Sequence, residues 1–520
     1  MGRHLVSGVD AQSQVVTVMA ETAVAAGDYA KLGSGGFVRR AADGVPLALQ
    51  NSASGVTALV PPAAVEASGT AWGRSGFNAQ MFRSIVALDN GNFAVAYSGN
   101  GTQSDTGVNL RIYGPLRVPL SSRVVVAAAT GVVGTRLARA GADNLAVVWV
   151  EGATLKLAIH SAATGAVVAP EVTVAALASS DIFNWNVATL NGGDVVVAYG
   201  KSGSNDFAFK RFNAAGVLQG AEVVVEAGSS PTHIGVLALA SGGFVLHYYR
   251  YTAATAYKFA RFAANGTQQG VLNTLATGAP NRSVSPAERN AMELSNGNLV
   301  FVDPASNTSA AVRLYDAAGN FISAVLAATG AAGMPNTVCI CPRQLGGFWL
   351  TVAGQLYEYD NAGSGLRQSS VPGNTPFMLF DRAGTGPLMA VYLAGAFTIH
   401  LIAWNTELTV AEGITVDSLG YALSYAWFEV LSNGLVVGVN MGNSSFGAAR
   451  LFVSTPQAYS ILGIAQEPAV PGALVRVATA GKFVSTQSFS GPAFDRRAAT
   501  PPGTRGVAIG NTAILGGLAG

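Results

Sequence analysis

Charge is what this sequence has least of. Asp, Glu, Lys and Arg make up 11% of its 520 residues, against about a quarter in an ordinary soluble domain. The formal net charge is +2, with acids and bases interspersed, so no basic stripe is offered to nucleic acid. Long apolar runs are missing too. Mean hydropathy is positive, yet no run approaches the roughly 18 residues of a spanning helix; the stretch 124–134 is broken by Gly and Thr. A sustained helical apolar period is also absent, which excludes a helical body. Residues 1–10 lack the apolar core of roughly 7 to 15 residues that marks an export signal. Val6 stands where myristoylation favours Ser or Thr.

Chemical motifs are equally scarce. His4, His160, His233, His247 and His400 show no H-E-x-x-H spacing and no close pair. A G-x-S-x-G elbow, a phosphate loop and a calcium loop are all missing, and the glycines of 33–36 read as a turn. Cys339 and Cys341 stand two apart, so a strand would point both to one face. Without a second pair or a nearby His they read as small buried apolar groups. No metal or cofactor is expected.

Glycine, with 63 residues, and alanine fill the space left by charge, and they are organised. A Leu, a Gly-containing turn and a second apolar run recur at 88–97, 190–199, 239–248, 294–303, 345–352 and 431–439, with weaker copies at 141–150 and 384–392. Tight hairpins need positive φ, which Gly adopts without steric cost. A second marker, an aromatic-rich strand ending in Asn or Ala before Gly, closes 209–216, 259–266, 312–319 and 357–363. Residues 233–275 show the whole unit: four short runs rich in β-branched and aromatic residues, separated by turn clusters. The period of about 50 residues fits four-stranded propeller blades. The fold expected is all-β: a β-propeller of about eight four-stranded blades, seven if the copy around Pro387 is incomplete. It would span 71–457, between small β regions at 1–70 and 458–520, with Pro61 and Pro62 near the first boundary.

Within that array the acids worth testing for glycan cleavage are Asp303, Glu358 and Asp360. Arg111, Arg211, Arg261 and Arg313 read as recurring at equivalent positions. Residues that recur with the repeat serve the repeat, so these arginines are expected to form a ladder of solvated or blade-bridging contacts. No catalytic constellation is found. Aromatics give the functional hint: Tyr248, Tyr249, Tyr251, Trp185 and Trp427 are candidate surface-binding residues, since exposed rings stack on sugars and anchor interfaces. The competing reading, packing between blades, is the weightier one.

The segment 461–481, with a later Gly-Val-Ala-Ile-Gly at 506–510, resembles small β modules of tail fibres and other virion proteins of tailed bacteriophages. The repeat array is similar to propeller repeats of phage fibres and large bacterial surface proteins. The resemblance implies a non-catalytic structural virion protein, made in the host cytoplasm without a signal peptide. Its partners would be other virion proteins, sister copies and a host-surface glycan, with neither nucleic acid nor membrane insertion. A glycan-processing propeller enzyme and a bacterial surface lectin or adhesin are the alternatives.

Overall fold

A computed structural model describes residues 84–454, apart from parts of the connecting loops, the longest being 278–289 and 328–337; outside that span it describes only the strands named below. Among the described residues there are eight four-stranded antiparallel sheets. Their first strands are Ile85–Ala87, Val132–Ala140, Trp185–Thr189, Pro231–Ala238, Ala291–Glu293, Cys339–Pro342, Thr375–Arg382 and Leu423–Val430. These pack side by side around a complete circle, the eighth returning to the first. The protein is therefore an eight-bladed β-propeller. The blade containing Pro387 is a full sheet, Thr375–Arg382, Gly386–Leu393, Thr398–Trp404 and Val410–Ser418, which decides eight over seven.

The fourth, outermost strands are Val124–Ala127, Val167–Ala176, Val223–Glu226, Gln268–Thr277, Phe321–Ala327, Gly365–Ser370 and Val410–Ser418 in blades 1 to 7. In blade 8 the outermost strand is Ala58–Ala64, paired antiparallel with Ala449–Ser454 (Arg450 opposite Ala64). A strand that the sequence reading left in the N-terminal region thus completes the last blade. Two prolines at its centre suit it to an outer edge, where no further ladder is needed.

Each sheet buries both faces against its neighbours. In blade 3, Val195–Gly200 is buried throughout, and its residues divide between two apolar layers, Val195, Val197 and Tyr199 on one side and Val196 and Ala198 on the other. A single four-stranded sheet has too little core of its own; stacking on two sides supplies it. Turn chemistry sets the register. Gly91, Gly193, Gly242 and Gly297 occupy one equivalent position in the first hairpin, with φ between 81° and 91°. In blade 3 the Gly193 N–H donates to the Leu190 carbonyl at 2.8 Å.

Outside the ring, strands from both ends of the chain share one six-stranded sheet in the order Ser7–Asp10, Ser13–Met19, Leu474–Ala480, Ile461–Ala465, Tyr29–Leu32, Val38–Arg40. Thr17 pairs with Arg476 and Tyr29 with Ile464. The terminal regions, read separately in the sequence, meet here because the ring brings its first and last blades together. A hairpin of Thr504–Ile509 and Thr512–Leu518 lies beside this sheet.

Candidate functional site

The up-and-down order of strands gives the ring two unlike rims. One carries the turns between strands 1 and 2 and between strands 3 and 4. The other carries the loops between strands 2 and 3 and the linkers from blade to blade. On the first rim, turns tie neighbouring blades together. The Gly141 N–H donates to the Gly193 carbonyl at 2.9 Å. Arg139 grips Asp89 of the preceding blade at 2.5 and 2.6 Å, and Asn191 Nδ2 reaches the Leu239 and Ala240 carbonyls of the next.

The arginines divide over these seams. Arg211 donates to the Ala264 carbonyl, and Arg261 to the Ala318 carbonyl at 2.6 Å, each in the following blade's second turn. Both bridge blades, one of the two roles expected of the recurring arginines. Arg111 and Arg313 do not share that position. Arg211 and Arg261 oppose Val196 and Val245, the second residues of their neighbouring strands, whereas Arg111 and Arg313 oppose the third residues, Val95 and Phe301. A one-residue offset in a strand reverses the face, so the four are two pairs. Glu358 holds the Arg211 position in blade 6, opposite Trp349. It is 2% exposed and is gripped by Arg343 at 2.7 Å and Arg367 at 2.6 Å.

The second rim is best defined over the seam between blades 3 and 4. Asn205, Ser230 and His233 adopt left-handed φ of 54°, 45° and 50°, a conformation costly for non-glycine residues and concentrated at functional sites. The Ser230 N–H donates to the Asn205 carbonyl at 2.8 Å, and Asp206 accepts from the Gly228 N–H at 2.8 Å. His233 stacks on Phe183 with centroids 4.6 Å apart and meets Tyr249 edge-on. Beside them Glu226, ending the outermost strand of blade 3, accepts from Tyr248, Arg250 and Lys258 of blade 4. Burial would raise the Glu226 carboxyl pKa, but Lys258 and Tyr248 outweigh it and the net shift is downward. Within blade 3, Glu222 repeats the device, accepting from Tyr199 at 2.7 Å and Lys201 at 2.5 Å. The sequence reading missed both glutamates and His233. The only signal was a Glu closing or preceding a Val-Val-Val run at 223–225.

The candidate binding aromatics are not displayed. Tyr248 and Trp185 are fully buried, Tyr249 and Trp427 3% and 4% exposed; Tyr251 lies outside the described residues. Tyr248 packs on Phe207 of blade 3, Trp185 lies under the Arg136 guanidinium, and Trp427 Nε1 donates to Glu429 at 2.9 Å. For Trp185, Tyr248, Tyr249 and Trp427 the surface role is thereby corrected: stacking between blades hides both faces of a strand, so rings there pack. Cys339 and Cys341 face the apolar layer between blades 6 and 7, and burial pushes the Cys341 thiol up to about 12.

Of the three acids, Glu358 is held between two arginines and Asp360 caps its turn, accepting from the Ala362 and Ser364 N–H groups at 2.8 Å. Asp303 is 9% exposed; burial raises its pKa, with Arg313 and Tyr249 opposing. The Tyr249 hydroxyl donates to it at 3.3 Å, and Tyr257 and His247 share a 3.0 Å hydrogen bond alongside. A raised carboxyl suits a general acid, and glycan cleavage pairs such an acid with a second carboxylate about 5 to 10 Å away; the groups described around Asp303 are Tyr249, Tyr257, His247 and Arg313. Among the described residues no cluster of three or more His, Cys, Asp or Glu is arranged to hold a metal.

Eight closed blades with one tied and one looped rim place the chain among propeller proteins. No family model and no curated protein matches the sequence. Among solved structures it is similar to the Dos1 propeller (12% identity, TM-score 0.45, covering 74% of this chain and 94% of that one) and a eukaryotic initiation factor (10%, 0.44, 78% and 92%). It is also similar to the polysaccharide lyase Uly1 (10%, 0.40, 75% and 93%).

Proposed function

We propose that the chain is a non-catalytic structural protein of a tailed-phage particle, a tail fibre or tail-associated component. The propeller displays its looped rim to a host surface glycan or to a neighbouring virion protein. The observation that carries this reading is the contrast between the rims. Short glycine turns and carbonyl-directed Arg and Asn side chains lock one rim, while the connections of the other vary in length, and beside them Asn205, Ser230 and His233 take left-handed φ, against Leu408 alone among the described non-glycine residues of the tied rim. Binding surfaces reside on loops that a rigid frame positions. The six-stranded sheet built from both ends supplies a separate module for attachment to the particle.

Two of the three acids that a glycan-processing enzyme would use, Glu358 and Asp360, are engaged by arginines and by turn N–H groups, which favours display over chemistry. Two measurements test the reading. Mass spectrometry of purified virions should detect the chain; its absence from particles removes the virion role. Incubation with host surface polysaccharide should leave chain length unchanged, and shortening of the polymer would establish the enzyme reading instead.

A further inference from the structure

Asp303 departs from the repeat around it. The second strands of blades 1, 3 and 4 carry Tyr97, Tyr199 and Tyr248 as their fifth residue, each of them buried; blade 5 carries an acid there. A residue that recurs serves the repeat, whereas one that breaks it at a buried position answers to its own surroundings. Asp303 is 9% exposed. Its one hydrogen bond among the described residues comes across the seam from the Tyr249 hydroxyl of blade 4, at 3.3 Å. Tyr249 stacks on Tyr257 with centroids 4.4 Å apart, and the Tyr257 hydroxyl is already joined to His247 at 3.0 Å. Arg313 shares the sheet face with the acid, since Asp303 is opposite Ala311 and Arg313 is opposite Phe301. Such diagonal neighbours stand about 7 Å apart, within reach of a long side chain. Arg313 nevertheless acts on the carboxyl through charge and not through a hydrogen bond, and its Nε is buried without a hydrogen-bond partner.

We propose that a proton on Asp303 is the clasp of the seam between blades 4 and 5: the seam is closed while the carboxyl is neutral, and on ionisation the carboxylate turns to Arg313 within blade 5 and lets go of Tyr249. A buried carboxylate is tolerated when it is paired and fully hydrogen-bonded. One donor at 3.3 Å suffices for a neutral acid and not for an ion, so ionisation requires a rearrangement, and Arg313 is the cation in reach. The other charged groups on the strands packed here are committed elsewhere. Arg250 and Lys258 hold Glu226 of blade 3, Arg261 donates to the Ala318 carbonyl, and Glu293 accepts from the Ala240 N–H on the tied rim. The outermost strands of blades 4 and 5 contain no ionisable residue. His233 meets Tyr249 edge-on, and burial holds the phenols of Tyr249 and Tyr257 protonated. Burial also raises the Asp303 pKa against the pull of Arg313 and Tyr249. The closing contribution is therefore present at low pH and is lost as pH rises through that raised value. Asp303 ends its strand, so the clasp lies directly beneath the looped rim. It belongs to the propeller and stands independently of the virion role.

Hydrogen exchange of the full chain, corrected for intrinsic rates, tests the clasp. In the wild type the amides of Phe244–Arg250 and Leu299–Asp303 should exchange at least ~10-fold faster at about pH 8 than at about pH 5. Those of Asn144–Glu151 in blade 2 should keep their protection. Asp303→Asn holds the site neutral and should exchange slowly at both values. The histidines are common to both proteins, so the difference between them isolates Asp303. Equal exchange in wild type and variant at both pH values overturns the proposal, as does an acceleration that persists in the variant. If Asp303→Asn lowers stability throughout, urea midpoints decide. The variant should gain on the wild type between the lower and the higher pH, and a difference independent of pH overturns the clasp.

Discussion

Glu358 shows how one carboxylate stiffens a blade. It is nearly inaccessible, and both oxygens are taken by guanidinium groups from Arg343 and Arg367. Removing one partner of a buried pair costs more than the pair contributes, because the remaining charge stays desolvated. Glu358→Gln is expected to lower stability by about 3 kcal/mol, less if Arg367, which is 42% exposed, turns out to water. Urea unfolding midpoints measure it, and a midpoint equal to wild type would mean the pair is inert. His160 poses the opposite case. It is fully buried at the position where other blades carry Phe212 and Phe262, and its Nδ1–H donates to the Gly165 carbonyl at 2.8 Å. Burial lowers its pKa, the Gly165 bond partly opposing. Its contribution is therefore complete above the unfolded value of 6.5 and is lost as pH falls below it. The slope reaches up to about 1.4 kcal/mol per pH unit, until the folded-state pKa is reached. His160→Phe should flatten the stability profile between pH 7 and the onset of carboxylate titration; an unchanged slope would assign the acid sensitivity to other groups.

Strands and turns carried most of what was legible beforehand. The turn at 190–195 is written in the sequence because only a residue free to take positive φ closes so tight a hairpin, and the same constraint recurs in each copy. Facing was not legible. Phe209-Lys-Arg-Phe and Val312-Arg-Leu-Tyr look alike, yet their arginines sit one register step apart and point to different neighbours. Exposure was not legible either, since a strand buried on both faces has no alternation to read. This is why Tyr248 resembled a displayed ring. Glu226 escaped notice because its partners, Tyr248, Arg250 and Lys258, come from the next repeat, where only the ring closes the distance. Such compensation between strands can be tested in blade 4. A Cβ on Gly235 would lie 2.0 Å from His247 Nε2, and Ala96 and Ala198 stand where His247 does in blades 1 and 3. Gly235→Ala should destabilise by about 2 kcal/mol through overpacking, and adding His247→Ala should recover about 1 kcal/mol or more of that loss. Additive losses in the double-mutant cycle would show that the imidazole does not set the glycine requirement.

At the scale of the molecule, a ring of sheets has one weak seam, where the chain enters and leaves. Here the seam is closed by exchange between the ends: Ala58–Ala64 supplies the outer strand of a blade whose other three strands come from 423–454. Ladder hydrogen bonds then join residues that precede the first blade to residues of the last, Ala64 opposite Arg450 among them, so opening the ring requires breaking them as well as separating the first strands of blades 1 and 8. Two truncations separate closure from the terminal sheet. Deleting residues 1–57 removes Ser7–Asp10, Ser13–Met19, Tyr29–Leu32 and Val38–Arg40 but keeps the closing strand, so the propeller should melt as the full chain does. Deleting residues 1–66 leaves blade 8 with three strands and an unpaired edge at Ala449–Ser454. That chain should melt lower by on the order of 10 °C and aggregate more readily through the bared edge. Hydrogen exchange localises the cause: protection should fall first in Ala449–Ser454 and then in the first strands of blades 1 and 8. Equal melting of the two truncations would show that side-by-side packing of those first strands holds the ring shut without the exchanged strand.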